Sequence, residues 1–387
     1  MKIIKLAIIM VLIITASCSS ATISTNQNSK EPIISNLEST VYVDDDAEPE
    51  WYDETHVKTI QEGIIKVSES GTVYVYNGTY YENVLIGKTI NLIGEDKNTT
   101  IIDGQKLDHV VNIFADFTNV SGFTIQNCSQ KEYHAGVYII TANNVKVFDN
   151  IIRHNQHPEQ NINHHVAAVL IVLMSSKNVI TKNEIYDCEE GVLIYAERSG
   201  NIVSYNNIRD IRVWNVFLFI SDKNKIIGNK IYGDGGSTCI DLYESNENII
   251  YGNEIWEGEY YHGISLRASN KNKIYYNNIT NNITNLSKTP TGIYISGRGN
   301  IVKHNNFINH KTHAYFSGNF NRWRNNYWDD WIGLKRPIFR LFPKAIKGEV
   351  VRLLRYPKRL NFDWHPAKEP FDIQKYLDKE KQLLLEI

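Results

Sequence analysis

Three groups of residues in this chain are of types that do chemistry. The first is acid–base: Asp241, Arg267 and Glu244, with His262 close in sequence. A lyase needs a base, often beside a cation, and a hydrolase needs two carboxylates flanking the bond it cuts. Asp241 supplies one carboxylate and no second stands at a matching position, so an Asp–Arg surface ion pair is the competing reading. The second group is metal-ligating: His134, His164 and His165 with Glu189. Imidazoles plus a carboxylate suit Zn or Cu(II). No Cys or Met joins them at a ligand-like spacing, so solvated loop histidines compete with that reading. Asp44, Asp45 and Asp46 offer oxygens to Ca but lack a ligand spacing. The third group is aromatic: Tyr138, Tyr195, Phe217, Phe219, Tyr243 and Tyr294. Sugars stack on such rings through their apolar faces.

A repeat brings these residues together. Asn occurs 43 times in 387 residues, more than helices or ordinary strands tolerate. The recurring unit is Asn, an apolar residue one or two places on, Asn or Asp five residues on and an apolar or aromatic residue seven residues on. It runs from Asn144 with Asp149 through Asn178 with Asn183 to Asn321 with Asn326, with a weaker copy at Asn119. The period is about 25 residues. Before each unit stands a small residue and an alternating strand: Gly136 to Ile139, Ala168 to Ile171, Gly191 to Ile194, Cys239 to Leu242, Gly263 to Leu266, Gly292 to Ile295. Alternation with period two buries one strand face. The spacing of a leucine-rich repeat is absent. Three short strands per repeat predict an all-β parallel solenoid whose coils pair at about 4.8 Å. The Asn residues are then structural, tolerating left-handed turns and stacking in ladders.

Aligning the coils on the small residue stacks two outward columns. One holds Tyr138, Leu170, Leu193, Phe217, Asp241, Ser265 and Tyr294. The other holds Ile140, Val172, Tyr195, Phe219, Tyr243, Arg267 and Ser296. A stripe this apolar should not face water. Either the C-terminal segment covers it or a partner binds it, and a glycan groove is the functional version. His134 and His165 fall just before strands of adjacent coils, with Glu189 one coil further.

The ends differ. Lys2 and Lys5, the apolar run Leu6 to Ile14 and the exit Thr15-Ala16-Ser17-Cys18 make residues 1–18 a signal peptide. The exit is similar to a lipoprotein box, with Cys18 as lipid acceptor and Thr15 where Leu is usual. Residues 19–38 read as a tether, 39–104 as an N-terminal cap and first coils, 105–328 as the repeats, 329–387 as a C-terminal cap and tail. A helix is expected at Thr55 to Val67, with Val57, Ile60, Ile64 and Val67 on one face. Residues 41–120 carry 15 acidic and 5 basic residues; residues 322–368 carry 12 basic and 4 acidic. The net charge of -2 excludes a broad nucleic-acid binder. Cys128, Cys188 and Cys239 are an odd set near strand starts and read as small core residues.

The repeats resemble the right-handed parallel β-helix of the pectin-lyase-like superfamily. They are most similar to the repeats of carbohydrate-binding proteins, sugar hydrolases and NosD-type proteins, as found in exported archaeal and bacterial surface proteins. "GTYYENVLI" followed by "INLIGE" resembles the N-terminal cap of such proteins, and "NYWDDWIGLKRPIF" with "NFDWHPAKEP" resembles their C-terminal stretch. The resemblance implies about 8–10 coils and an extracytoplasmic place. It implies non-catalytic binding of polysaccharide or envelope glycan, and possession of a membrane contact if Cys18 is lipidated. The alternatives are a polysaccharide lyase or glycoside hydrolase using Asp241, and NosD-like copper handling. Ca, Cu and Zn are the cofactors these readings would need.

Overall fold

The computed structural model describes residues 37–155, 165–195, 200–233, 238–257, 262–281, 291–331, 344–349 and 358–384. Residues 1–36, which hold the expected signal segment and Cys18, lie outside them, as does His164.

Each repeat contributes three short strands, and every strand pairs in parallel with its counterpart one coil on, through about nine turns. The first sheet runs, for example, through Lys146–Phe148, Val179–Thr181 and Ile202–Ser204. The second runs through Thr124–Gln126, Ile151–Asn155 and the first half of Glu184–Tyr195. The third runs through Ala135–Ile140, Ala167–Val172 and the second half of Glu184–Tyr195. Alternation sends one side chain of each pair inward. Ile152, Ile185, Ile208, Ile231, Ile255 and Ile279 thus stack in register inside the coil, almost without exposure. Cys128, Cys188 and Cys239 are free thiols in the same interior, and burial pushes Cys188 up to about 12.

The Asn residues form two ladders. In the longer one each backbone N–H, from Asn150 through Asn183, Asn206, Asn229, Asn253, Asn277 and Asn305, donates to the Oδ1 of the Asn one coil on at 2.9–3.1 Å. The amide NH2 of each donates back to a carbonyl of the preceding coil, as Asn229 does to Val203 O at 2.9 Å. These Asn are not left-handed. The residue before each one is: Lys182 (φ 58), Tyr205 (φ 54), Tyr276 (φ 54) and His304 (φ 58). The ladder holds those bulky residues in a region that costs roughly 1 kcal/mol or more each. Near residue 145 the frame also slips by one against the sequence reading. Val145 and Asn150, not Asn144 and Asp149, occupy the ladder positions.

Helix α1 (Ile60–Lys66) is shorter than expected, because Val57 pairs in a strand with Val43 and Thr59 caps the helix by accepting from Glu62 N. It closes the N-terminal end with Ile60 and Ile64. At the other end the interior turns aromatic, with Phe307, Trp323 and Trp328. An antiparallel hairpin, Lys344–Glu349 with Lys358–Asp363, then continues two sheets. Helix α2 (Ile373–Leu384) returns along the corner between the first and second sheets, packing Ile373 and Leu377 on Ile227 and Tyr251.

Candidate functional site

The outward columns of the third sheet align as the sequence predicts: Tyr138, Leu170, Leu193, Phe217, Asp241, Ser265 and Tyr294 are in register. They do not form an open groove. Leu170 and Leu193 are fully buried and Phe217 is 4% exposed; Tyr138, Tyr195, Phe219 and Tyr243 pack half-buried against them. The rings lie on one another, Tyr195 on Phe219 at 4.8 Å and Phe219 on Tyr243 at 5.4 Å. Tyr294 is held between His262 at 5.3 Å and Tyr315 at 6.0 Å. A ring laminated on both faces leaves an incoming sugar only its edge. The described part of α2 lies along another corner and does not cover this stripe.

Asp241 is 3% exposed and both its oxygens are taken by Arg267, Nε to Oδ1 at 3.2 Å and Nη2 to Oδ2 at 2.5 Å. Burial pushes this carboxyl above the usual range, against the pull of the guanidinium. Arg267 lies over the Tyr243 ring at 5.2 Å. Glu244 is exposed on the turn beyond, and its N–H bonds Arg267 O, so it does not join Asp241. The acid–base trio of the sequence is an ion pair and a turn residue.

The histidines are sorted differently from the sequence reading. His165 pairs with Glu190, Nδ1 to Oε1 at 2.7 Å, rather than with Glu189. Glu189 faces Arg212 at 3.7 Å. His165 lies between Tyr133 and Trp214, stacked at 5.2 and 5.8 Å. Burial works against its imidazolium, but the hydrogen bond and charge of Glu190 outweigh it and hold His165 above its ordinary value. His134 belongs instead with Asp108 and His109. It stacks on His109 at 4.5 Å and points Nδ1 at Asp108 Oδ1, 3.4 Å away. These three residues bring donor atoms within 4.8 Å of one another. The fit to a metal fails at His109. Its Nδ1 accepts the Ala135 N–H at 3.1 Å, so the other nitrogen of the neutral ring carries the proton and has no lone pair to give. Extending the coil alignment one coil back would have exposed His109, two residues before Val111 as Ala135 is before Val137. Asp44, Asp45 and Asp46 also gather within 4.8 Å, as acidic groups alone.

A fourth cluster was not foreseen. At the last coils His313, 5% exposed, points Nε2 at Asp329 Oδ1 (2.6 Å) and Nδ1 at Asp330 Oδ2 (3.5 Å).

The second sheet carries the other unforeseen feature. Its outward column reads Gln126, Arg153, Tyr186, Arg209, Tyr232 and Trp256, one per coil and all half-buried. Arg153 donates Nε to Gln126 Oε1 at 3.0 Å and Nη1 to Tyr186 Oη at 3.3 Å. Arg209 lies 4.1 Å over the Tyr186 ring, and Tyr232 stacks on Trp256 at 4.5 Å. The next outward column is polar: Glu184, Asn207, Lys230, Glu254 and Asn278. Asn207, Lys230 and Glu254 line a cleft of about 190 Å³ that Gln374 and Leu377 of α2 complete. The signal lay in the sequence: each of these column residues directly follows the inward Ile of the repeat.

No curated protein matches the chain. Solved structures share the fold at low identity. The A-module of the mannuronan C-5 epimerase AlgE6 of Azotobacter vinelandii is 15% identical with a TM-score of 0.51, over 69% of this chain and 88% of that one. XylC in complex with xylose is 10% identical with a TM-score of 0.54, over 73% and 75%. The lacto-N-biosidase of Eubacterium ramulus is 10% identical with a TM-score of 0.50, over 74% and 64%. The family model for NosD, described as periplasmic copper-binding protein, matches residues 66–333, well over half of the sequence, and the chain belongs to that family.

Proposed function

We propose that this chain is an extracytoplasmic, non-catalytic protein that binds polysaccharide along the outer face of its second sheet. The observation that carries the reading is the column from Gln126 to Trp256. Guanidinium, phenol and indole groups recur there one per coil, at about 4.8 Å, beside a column of amides and charges. Planar groups supply stacking surface and the polar neighbours supply directed hydrogen bonds, the combination that a ring bearing hydroxyls needs. The cleft is smaller than a drug-sized pocket and suits one sugar unit of a longer chain. The third-sheet stripe, the first expectation, is the more buried face, with Leu170, Leu193 and Phe217 almost without exposure.

The non-catalytic part rests on the carboxylates. Asp241 is tied up by Arg267. Asp149 and Glu184 do approach each other, but Lys97 bridges them at 3.1 Å each, and Asp187 and Asp210, on adjacent coils, are paired with His154 and Arg209. The family's periplasmic description agrees with action outside the cytoplasm, and lipid on Cys18 is the proposed hold on the membrane surface, tested by radiolabelled fatty-acid incorporation with a Cys18→Ala control.

Binding is tested on a polysaccharide array with Trp256→Ala and Arg209→Ala. Each should weaken binding about tenfold, the loss of one interface anchor, with unchanged circular dichroism. Asp241→Asn should bind as wild type. Full binding by the double variant Arg209→Ala/Trp256→Ala would end this reading.

A further inference from the structure

We propose that the polysaccharide held on the second sheet is acidic, and that Arg153 receives the anionic group, a carboxylate or a sulfate ester, of one sugar unit lying beside Tyr186. This rests on the binding face assigned above and deepens it to a class of ligand.

Arg153, Tyr186 and Arg209 stand in register on three successive coils of the outward column. Arg153 is half-buried, so its guanidinium has given up part of its hydration. What holds it is neutral: the Gln126 Oε1 accepts from Nε at 3.0 Å and the Tyr186 hydroxyl accepts from Nη1 at 3.3 Å. Among the described residues no carboxylate forms an ion pair with it. The carboxylates around it are already engaged. Glu184 meets Lys97 at 3.1 Å, Asp210 meets Arg209 at 2.7 Å, and Asp187 faces the His154 imidazole. Asp103, two coils back in the column, is held by the amides of Gln126 and Asn127 at 2.8 and 2.7 Å. A partly desolvated guanidinium without a counter-charge is costly. On an outer face, an anionic ligand is the group that relieves that cost.

The same contacts aim the group. Gln126 donates its Nε2 to Asp103, which fixes its Oε1 toward Arg153. With Nε and one N–H of Nη1 engaged, both N–H groups of Nη2 and one of Nη1 remain for a ligand. That is enough for two parallel bonds to one anionic group. Arg209 lies 4.1 Å over the Tyr186 ring. Its bond to Asp210 joins exposed, adjacent residues and holds weakly. A second cation thus stands two coils from the first, about 10 Å by coil spacing, with the tyrosine between them.

Titration of the full chain with polygalacturonate, alginate and dextran sulfate tests this, each beside its neutral parent: the two carboxyl-reduced polymers and dextran. At least one charged polymer should bind about tenfold tighter than its parent, and the pair that shows the difference identifies the anion. Arg153→Gln should bring the charged polymer down to the level of its parent and leave the parent unchanged. Lys223→Gln, which removes an exposed cation on the turn before the first sheet, should keep the preference. Circular dichroism and melting temperatures establish that each variant is folded. Equal binding of charged and neutral forms, lost in Arg209→Ala/Trp256→Ala, leaves the second-sheet site standing and overturns the acidic ligand. A preference that survives Arg153→Gln, or is lost equally in Lys223→Gln, overturns the role of Arg153. Wild type that binds none of these polymers overturns the inference, and the array decides the underlying reading separately.

Discussion

At the residue scale the ladder asparagines decide how much of the chain folds at all. Asn229 is fully buried and serves Asn206, Val203 and Asn253 at once. Asn229→Ala leaves an N–H and a carbonyl unpaired in the interior, at about 1–3 kcal/mol each. A loss of roughly 3 kcal/mol is expected in chemical denaturation, against almost none for the exposed Asn98→Ala. The two buried histidine sites predict opposite pH limbs. Burial, with the neighbouring charge of His134, pushes His109 down to about 4. The unfolded chain binds that proton first, so stability falls as pH drops from about 6.5 toward 4. His165 is raised, and burial raises its partner Glu190 as well. The pair holds protons that the unfolded chain releases; the share of Glu190 is lost as pH climbs from about 4.5 and that of His165 as it climbs from about 6.5, each through its raised folded value. Melting curves from pH 4 to 9 should show His109→Gln flattening the acid limb and Glu190→Gln the alkaline one; a variant leaving its limb unchanged would refute that assignment. The Asn spacing was legible because the ladder needs one residue type at one place. The pairing of His165 was not, because two glutamates in succession, Glu189 and Glu190, differ only in which way the strand turns them.

At the element scale the C-terminal hairpin is a terminator. Asp363, with no exposure, ends the longer ladder by accepting from Asn326 N and Nδ2 (both 2.9 Å) and also from Asn325 N, Trp328 Nε1 and His365 N. A carboxylate can take all of these donors, whereas another Asn would offer its own N–H groups to nothing. Because each coil of a solenoid touches only its neighbours, Asp363→Ala should open the last coils and leave the centre intact. Hydrogen exchange should accelerate at 306–328 and not at 179–232; a uniform change would contradict a local cap. Helix α2 has its own latch. Gly252 has φ +64, and a Cβ there would stand 2.4 Å from Leu377 Cδ2. Gly252→Ala should therefore unseat α2 and speed proteolysis beyond Phe371, without loss of the coils. The sequence reading expects a C-terminal cap over 329–387 but does not place the helix Ile373–Leu384. Its position depends on glycines at 228 and 252, which in sequence look like ordinary turn residues.

At the scale of the whole molecule, the solenoid makes each outward column a line of residues repeated coil by coil, and function depends on which line is left open. The repeat identified the coil, and strand alternation placed the columns. Neither could say that the more apolar column would bury itself while the mixed one stayed half exposed. Exposure is a property of neighbouring columns and loops together, and the aromatic residues Tyr186, Tyr232 and Trp256 look in sequence like further core. The most direct measurement is hydrogen–deuterium exchange of the full chain with and without the polysaccharide selected on the array. The account predicts slowed exchange at Arg153, Tyr186, Arg209, Tyr232 and Trp256 and at the facing turns of α2. Protection confined to Phe217, Phe219 and Tyr243 on the third sheet would contradict it.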